Sequence, residues 1–134
     1  MRLSPGQGAT ARRDRSFLLR RDRAAAPEMR VIFPAIEQLR LELRFEGSIA
    51  TIPVPQTHVL YPPARAYFVY PCPYADCDGQ FDLAAAVAAA LEASSIHSEG
   101  VLECSGTRVR DYASRRPCQL HLRYSVTASY APER

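Results

Sequence analysis

The chain has 134 residues, 47% hydrophobic and 23% charged, with a formal net charge of +3, which bounds it to one globular domain plus at most an extension. No apolar run reaches the ~18 residues that a transmembrane helix needs, and Phe17-Leu18-Leu19 is too short for the apolar stretch of a secretion signal. Membrane-spanning and secreted, disulfide-braced classes are set aside, and a reducing, cytoplasmic location is expected.

All 17 basic residues are arginine, and Lys, Asn and Trp are absent. That bias is the mark of GC-rich coding, so arginine by itself is a weak clue to function. Residues 1–28 carry seven arginines against Asp14, Asp22 and Glu28, whereas residues 29–134 carry ten against eleven acids. The basic character belongs to the first segment. It is rich in Gly, Pro, Ser and Ala and has neither alternation nor a helical stripe. Residues 1–28 are therefore expected to be a disordered tail, or an extension upstream of a start at Met29. Residues 29–134 are expected to form a single α+β domain.

From Leu39 the pattern has period two. Leu39, Leu41, Leu43 and Phe45 alternate with Arg40, Glu42, Arg44 and Glu46, which predicts a half-buried antiparallel strand. Gly47-Ser48 turns the chain, and residues 49–54 are expected to return as a second strand, restricted to an edge by Pro53 and Pro55. Residues 65–70, aromatic and β-branched, predict a third strand that leads directly to Cys72. Asp82 then caps an Ala-rich helix whose Leu83, Val87 and Leu91 share one narrow stripe. Residues 101–104 form a short strand and 105–117 a polar loop. The cleanest strand spans 118–130, with Cys118, Leu120, Leu122, Tyr124, Val126, Ala128 and Tyr130 on one face. The expected fold is an antiparallel sheet of about five strands packed on one Ala-rich helix.

The chemistry lies in four cysteines. Cys72 and Cys77 stand in Pro-Cys-Pro-Tyr-Ala-Asp-Cys-Asp-Gly, and Cys104 and Cys118 flank the polar loop. Cys77 and Cys104 each open a Cys-x-Gly step, in which glycine frees the backbone to turn its amide toward a thiolate. Parity places Cys104 with Leu102 and Cys118 with Leu120, so both thiols point inward. Two pairs on two tight turns predict one structural zinc per chain, held by four thiolates. The same spacing is compatible with two disulfides in any of three pairings, or with four unlinked buried thiols.

His121 has the opposite parity, and His58 and His97 are expected in loops without ligand spacing; all three are expected to face solvent. Asp76-Cys-Asp78-Gly79 resembles the middle of a calcium loop, but Tyr74 and Ala85 occupy its end positions. Asp76 and Asp78 are therefore turn residues. Arg108, Arg110, Arg115 and Arg116 are candidate anion-binding residues on the polar loop, although a domain so nearly neutral is a poor trap for nucleic acid. No phosphate-loop, dinucleotide, nucleophile-elbow or metalloprotease motif is present.

In Cys72-Pro-Tyr-Ala-Asp-Cys77-Asp-Gly79, and in Cys104-Ser-Gly106-Thr-Arg108 followed by Cys118, residues 72–124 resemble zinc-ribbon and treble-clef modules. The resemblance implies a structural metal within a small binding module, with a helix inserted between the halves. The leading functional expectation is a zinc-binding adaptor whose partner, in the first instance another protein, is unknown. The alternatives are a thiol enzyme or redox switch using Cys72 and Cys77, and a nucleic-acid-binding accessory protein using the 105–117 loop.

Overall fold

The structure, a computed structural model, describes residues 7–47, 52–111 and 114–132, without the side chains of 7–15, 110, 111, 114 and 115. In chain order the elements are α1 (Gln7–Ala25), α2 (Met29–Ile32), β1 (Ile36–Glu46), β2 (Gln56–Leu60), β3 (Val69–Pro71), β4 (Gln80–Asp82), α3 (Ala84–Glu92), β5 (His97–Glu103), β6 (Thr107–Asp111), β7 (Ser114–Pro117) and β8 (His121–Tyr130). The class is α+β. The main sheet has four antiparallel strands in the order β2-β1-β8-β5, and β3-β4 and β6-β7 form two small sheets.

Alternation in the sequence is what builds the main sheet. β1 buries Leu39, Leu41, Leu43 and Phe45 and exposes Arg40, Glu42, Arg44 and Glu46. Its register with β8 sets Leu41 opposite Val126 and Phe45 opposite Leu122, so the two strands share one apolar face. Val87, Ala90 and Leu91 of α3 join those side chains in one hydrophobic cluster. The Phe45 and Phe81 rings, 6.1 Å apart, carry that cluster from β1 into β4.

Both ends of α3 are closed by local hydrogen bonds. Asp82 Oδ1 accepts from the Ala84 amide at 2.9 Å, but the N-cap position falls one residue later than expected, at Leu83, which has no side-chain cap bond. At the far end Ser94 donates to the Leu91 carbonyl and Ser95 to the Ala90 carbonyl, a Schellman closure. It requires a left-handed residue, and Ser94 takes that place at φ 52°.

Several expectations need correction. The main sheet has four strands, because the third expected strand leaves it: β3 pairs only with β4 among the described residues. The return strand is Gln56–Leu60, later than the expected 49–54, of which 49–51 lie outside the described residues. Prolines at 53 and 55 have no amide to donate, so pairing begins after the second of them. The expected polar loop 105–117 contains the β6-β7 hairpin. His58 lies in β2, half-buried and stacked on Tyr70 at 4.3 Å. Burial first, then the Arg23 charge, lowers its pKa.

The expected disorder of 1–28 does not hold for Gln7–Ala25, which is helix. Ala, Arg and Leu are strong helix formers, and Leu19 supplies a buried anchor where α1 lies against β3. Arg23 sits over the Tyr67 ring, and the Ala66 amide bonds the Pro27 carbonyl at 2.7 Å.

Two substitutions separate these contributions. Ser94→Gly removes the left-handed penalty and should raise stability by about 1 kcal/mol. Leu41→Ala, fully buried between two strands, should cost about 3 kcal/mol, whereas the exposed Arg40→Ala should change stability by less than about 0.5 kcal/mol. Urea unfolding midpoints check all three.

Candidate metal centre

Each cysteine pair sits at the end of an antiparallel ladder. The β3-β4 pairing continues into the Cys72 amide bonding the Gly79 carbonyl at 3.0 Å, so Cys72 and Cys77 bracket the loop of that hairpin. The β5-β8 pairing continues into the Cys104 amide bonding the Leu120 carbonyl at 3.0 Å, and the Cys118 amide bonds the Gly106 carbonyl at 2.9 Å. All four side chains turn inward, as strand parity predicts for Cys104 and Cys118. Cys72, Cys77, Cys104 and Cys118 are all buried.

The two hairpin ends bring their sulfurs together. Cys72 and Cys118 Sγ are 3.9 Å apart, Cys77 and Cys104 Sγ are 3.6 Å apart, and all four sulfurs lie within 4.8 Å of one another. An ion bonded tetrahedrally to four sulfurs at about 2.3 Å requires sulfur–sulfur edges of about 3.8 Å. The cluster thus has the size to hold one metal ion, and its cysteines are free thiols rather than disulfides.

Backbone amides point at the sulfurs. Gly79 N–H donates to Cys77 Sγ at 3.3 Å and Gly106 N–H to Cys104 Sγ at 3.4 Å. The Tyr74 backbone does the same for Cys72. All three bonds span two residues, and those from Gly79 and Gly106 fill the role assigned to the Cys-x-Gly steps. The glycines serve a further purpose that spacing does not reveal. A Cβ on Gly79 would fall on Cys104 Sγ and the Gly106 backbone, and one on Gly106 would fall on the Gly79 backbone and Cys77 Sγ. Neither glycine has positive φ, so the requirement is space: the two turns press backbone to backbone.

Without a cation the four thiols cannot all ionise together. The hydrogen bond with Cys77, reinforced by burial, raises the Cys72 pKa far above the ordinary thiol range. The same bond, received by Cys77, lowers that thiol to about 6, and burial pushes Cys104 up to about 12. A divalent ion held by Cys72, Cys77, Cys104 and Cys118 would reverse this balance, because it would stabilise four thiolates at once.

The arginines divide. Arg108 donates from Nε to both Asp76 carboxylate oxygens at 3.1 Å and from Nη2 to Oδ1 at 3.0 Å, with its guanidinium 4.0 Å over the Tyr74 ring. It is a clamp between the β6-β7 hairpin and the first cysteine loop. The backbone reinforces it: Val109 N–H bonds the Asp76 carbonyl at 3.0 Å, and Thr107 N–H bonds Asp78 Oδ1 at 2.7 Å. Asp76 and Asp78 are therefore more than turn residues. Neither Asp76 nor Tyr74 was identifiable as the partner of Arg108, about thirty residues away, from spacing alone. Arg116 is exposed, and the side chains of Arg110 and Arg115 lie outside those described.

The histidines stay out of the cluster. His97 bonds Thr127 Oγ1 and Glu99 on the exposed face of the main sheet. His121 is exposed, opposite in parity to Cys118 and Leu120. A cleft of about 570 Å³ opens beside the sulfurs, lined by Glu46, Gly47, Glu103, Cys104, Cys118, Gln119 and His121.

No family model, curated protein or solved structure matches this chain. Fold and site together define a small α+β protein with a buried four-cysteine cluster capable of holding a metal ion.

The glycine seam gives a direct test. Gly106→Ala should destabilise the protein by about 3 kcal/mol and abolish metal retention, because the seam must open. Gly47→Ala, whose Cβ would meet its nearest neighbour at an ordinary 3.5 Å, should leave both within error. Thermal unfolding and elemental analysis of the two variants provide the comparison.

Proposed function

We propose that this protein is a small cytoplasmic binding module built on one structural zinc per chain, with Cys72, Cys77, Cys104 and Cys118 as its ligands. The observation that carries the reading is four buried sulfurs, contributed by two hairpin ends, all within 4.8 Å of one another. Four thiolates fill a tetrahedral zinc, leaving no open position for substrate or water, which is the arrangement of structural rather than catalytic sites. A sulfur-only donor set favours a soft or borderline ion and excludes magnesium and calcium.

The metal's work is mechanical. It joins the β3-β4 hairpin end to the β5-β8 end, and with the Asp76–Arg108 clamp it orients the β6-β7 hairpin. A protein partner fits the rest of the surface better than a nucleic acid does. Val31, Ile32, Val54, Val59 and Tyr61 are large apolar side chains left exposed on or near α2 and the edge strand β2. Arg108, in contrast, is held by Asp76 and Tyr74 and is not free to bind phosphate.

Metal analysis of protein prepared without chelator tests the reading. One zinc per chain is expected. Structural zinc contributes on the order of 10 kcal/mol in small modules, so a strong chelator should lower the melting temperature sharply. Cys77→Ser should reproduce the effect of chelation, and His121→Ala should leave zinc content unchanged. Metal-free protein of undiminished stability overturns the proposal, and a coloured iron-loaded protein replaces zinc with iron in it.

A further inference from the structure

We infer that the sulfur cluster is also a peroxide-reactive site, in which oxidation expels the metal and links the same two hairpin ends covalently through Cys72–Cys118 and Cys77–Cys104. This rests on the metal reading above and adds to it a reaction, an entry route and a specific pairing.

The entry route is the cleft beside the cluster. Among the four cysteines only Cys104 and Cys118 line it, and each is 7% exposed, against 2% for Cys72 and 3% for Cys77. A volume of about 570 Å³ admits a molecule the size of hydrogen peroxide, since a water occupies about 30 Å³. The oxidant therefore meets Cys104 or Cys118 first.

The chemistry balances with peroxide as the only co-reactant. A thiolate attacks one peroxide oxygen, the O–O bond breaks, hydroxide leaves, and the sulfur, having given up two electrons, becomes a sulfenic acid. A second thiolate attacks that sulfur, the S–O bond breaks, a second hydroxide leaves, and the disulfide forms. Two protons convert the hydroxides to water. Each disulfide removes two thiolates from the donor set, so the metal loses its ligands as the second bond closes.

Two contacts across the seam offer resolving partners, beside the Cys72–Cys77 contact within the first hairpin end. Cys104 Sγ faces Cys77 Sγ at 3.6 Å across the glycine seam, and Cys118 Sγ faces Cys72 Sγ at 3.9 Å. Both pairs cross from one hairpin end to the other. Disulfides within a hairpin, Cys72–Cys77 and Cys104–Cys118, would discharge the metal and leave the two ends unlinked. The cross-hairpin pairs substitute two covalent links for the metal and keep the seam closed. Oxidation is thereby distinguished from chelation: both empty the site, but only chelation releases the hairpins.

The test uses the full chain, reduced and zinc-loaded, titrated with hydrogen peroxide in the presence of a chromogenic zinc indicator. A sulfenic-acid trap should label Cys104 or Cys118 and neither Cys72 nor Cys77. Zinc should appear at about one ion per two peroxides consumed, as the electron balance requires. Peptide mapping after alkylation should find Cys72–Cys118 and Cys77–Cys104. The oxidised, metal-free chain should melt cooperatively at a clearly higher temperature than the chelated, reduced chain, and dithiothreitol with zinc should restore the starting state. Disulfides within a hairpin, or thiols and zinc that survive excess peroxide, overturn the inference. If the protein holds no zinc at the outset, the structural-metal proposal fails by itself. Mapping of the reduced, metal-free chain after peroxide then still decides the pairing.

Discussion

Two backbone turns pressed together at Gly79 and Gly106 are the constraint on which the cysteine end of the molecule depends. With no Cβ on either residue, the turns approach until each glycine lies against the sulfur of the opposite turn. That contact sets Cys77 and Cys104 face to face and brings Cys72 and Cys118 in from the neighbouring strand ends. A bulkier seam would spread the sulfurs beyond the reach of one ion, since metal–sulfur bonds tolerate little stretching. The cluster is thus a property of two hairpins in a fixed relation and of neither hairpin alone.

The same relation organises the charges around the cluster. Amides from Tyr74, Gly79 and Gly106 supply partial positive charge to three sulfurs through short local bonds. The Arg108 guanidinium is held further out, against Asp76 and over Tyr74. It bridges the β6-β7 hairpin to the first cysteine loop, so a basic loop that invites a nucleic-acid reading has an enclosed arginine engaged in holding the module together. A planar guanidinium suits that place, because it pairs with a carboxylate and stacks on a ring at the same time.

The main sheet positions the cluster without taking part in its chemistry. β8 is the shared strand: it pairs with β1 on one side and β5 on the other. Its inward face runs from Ala128 through Val126, the partly buried Tyr124, Leu122 and Leu120 to Cys118. Leu120 and Cys118 lie just beyond the ladder but keep its alternation. Hydrophobic core and sulfur cluster are therefore one buried layer, and Phe81, in contact with Phe45, joins the first cysteine loop to the sheet.

How much of this was legible beforehand depended on the range of the interaction concerned. Alternation over 39–46 and 118–130 determined two central strands and the inward parity of Cys118, and the shared parity of Cys104 and Leu102 did the same for Cys104, because side-chain direction in a strand follows position alone. The Asp82–Ala84 bond and the Cys-x-Gly amide bonds were equally readable, since each is closed within two residues. The sequence likewise determined that four cysteines stood in two pairs on turns. Only the tertiary structure decided that β3 leaves the main sheet, that Leu19 anchors α1 against β3, that Gly79 packs on Gly106, and that Arg108 belongs to Asp76 and Tyr74. Those contacts join residues far apart in the chain, and no local spacing records which partner the folded backbone brings within reach.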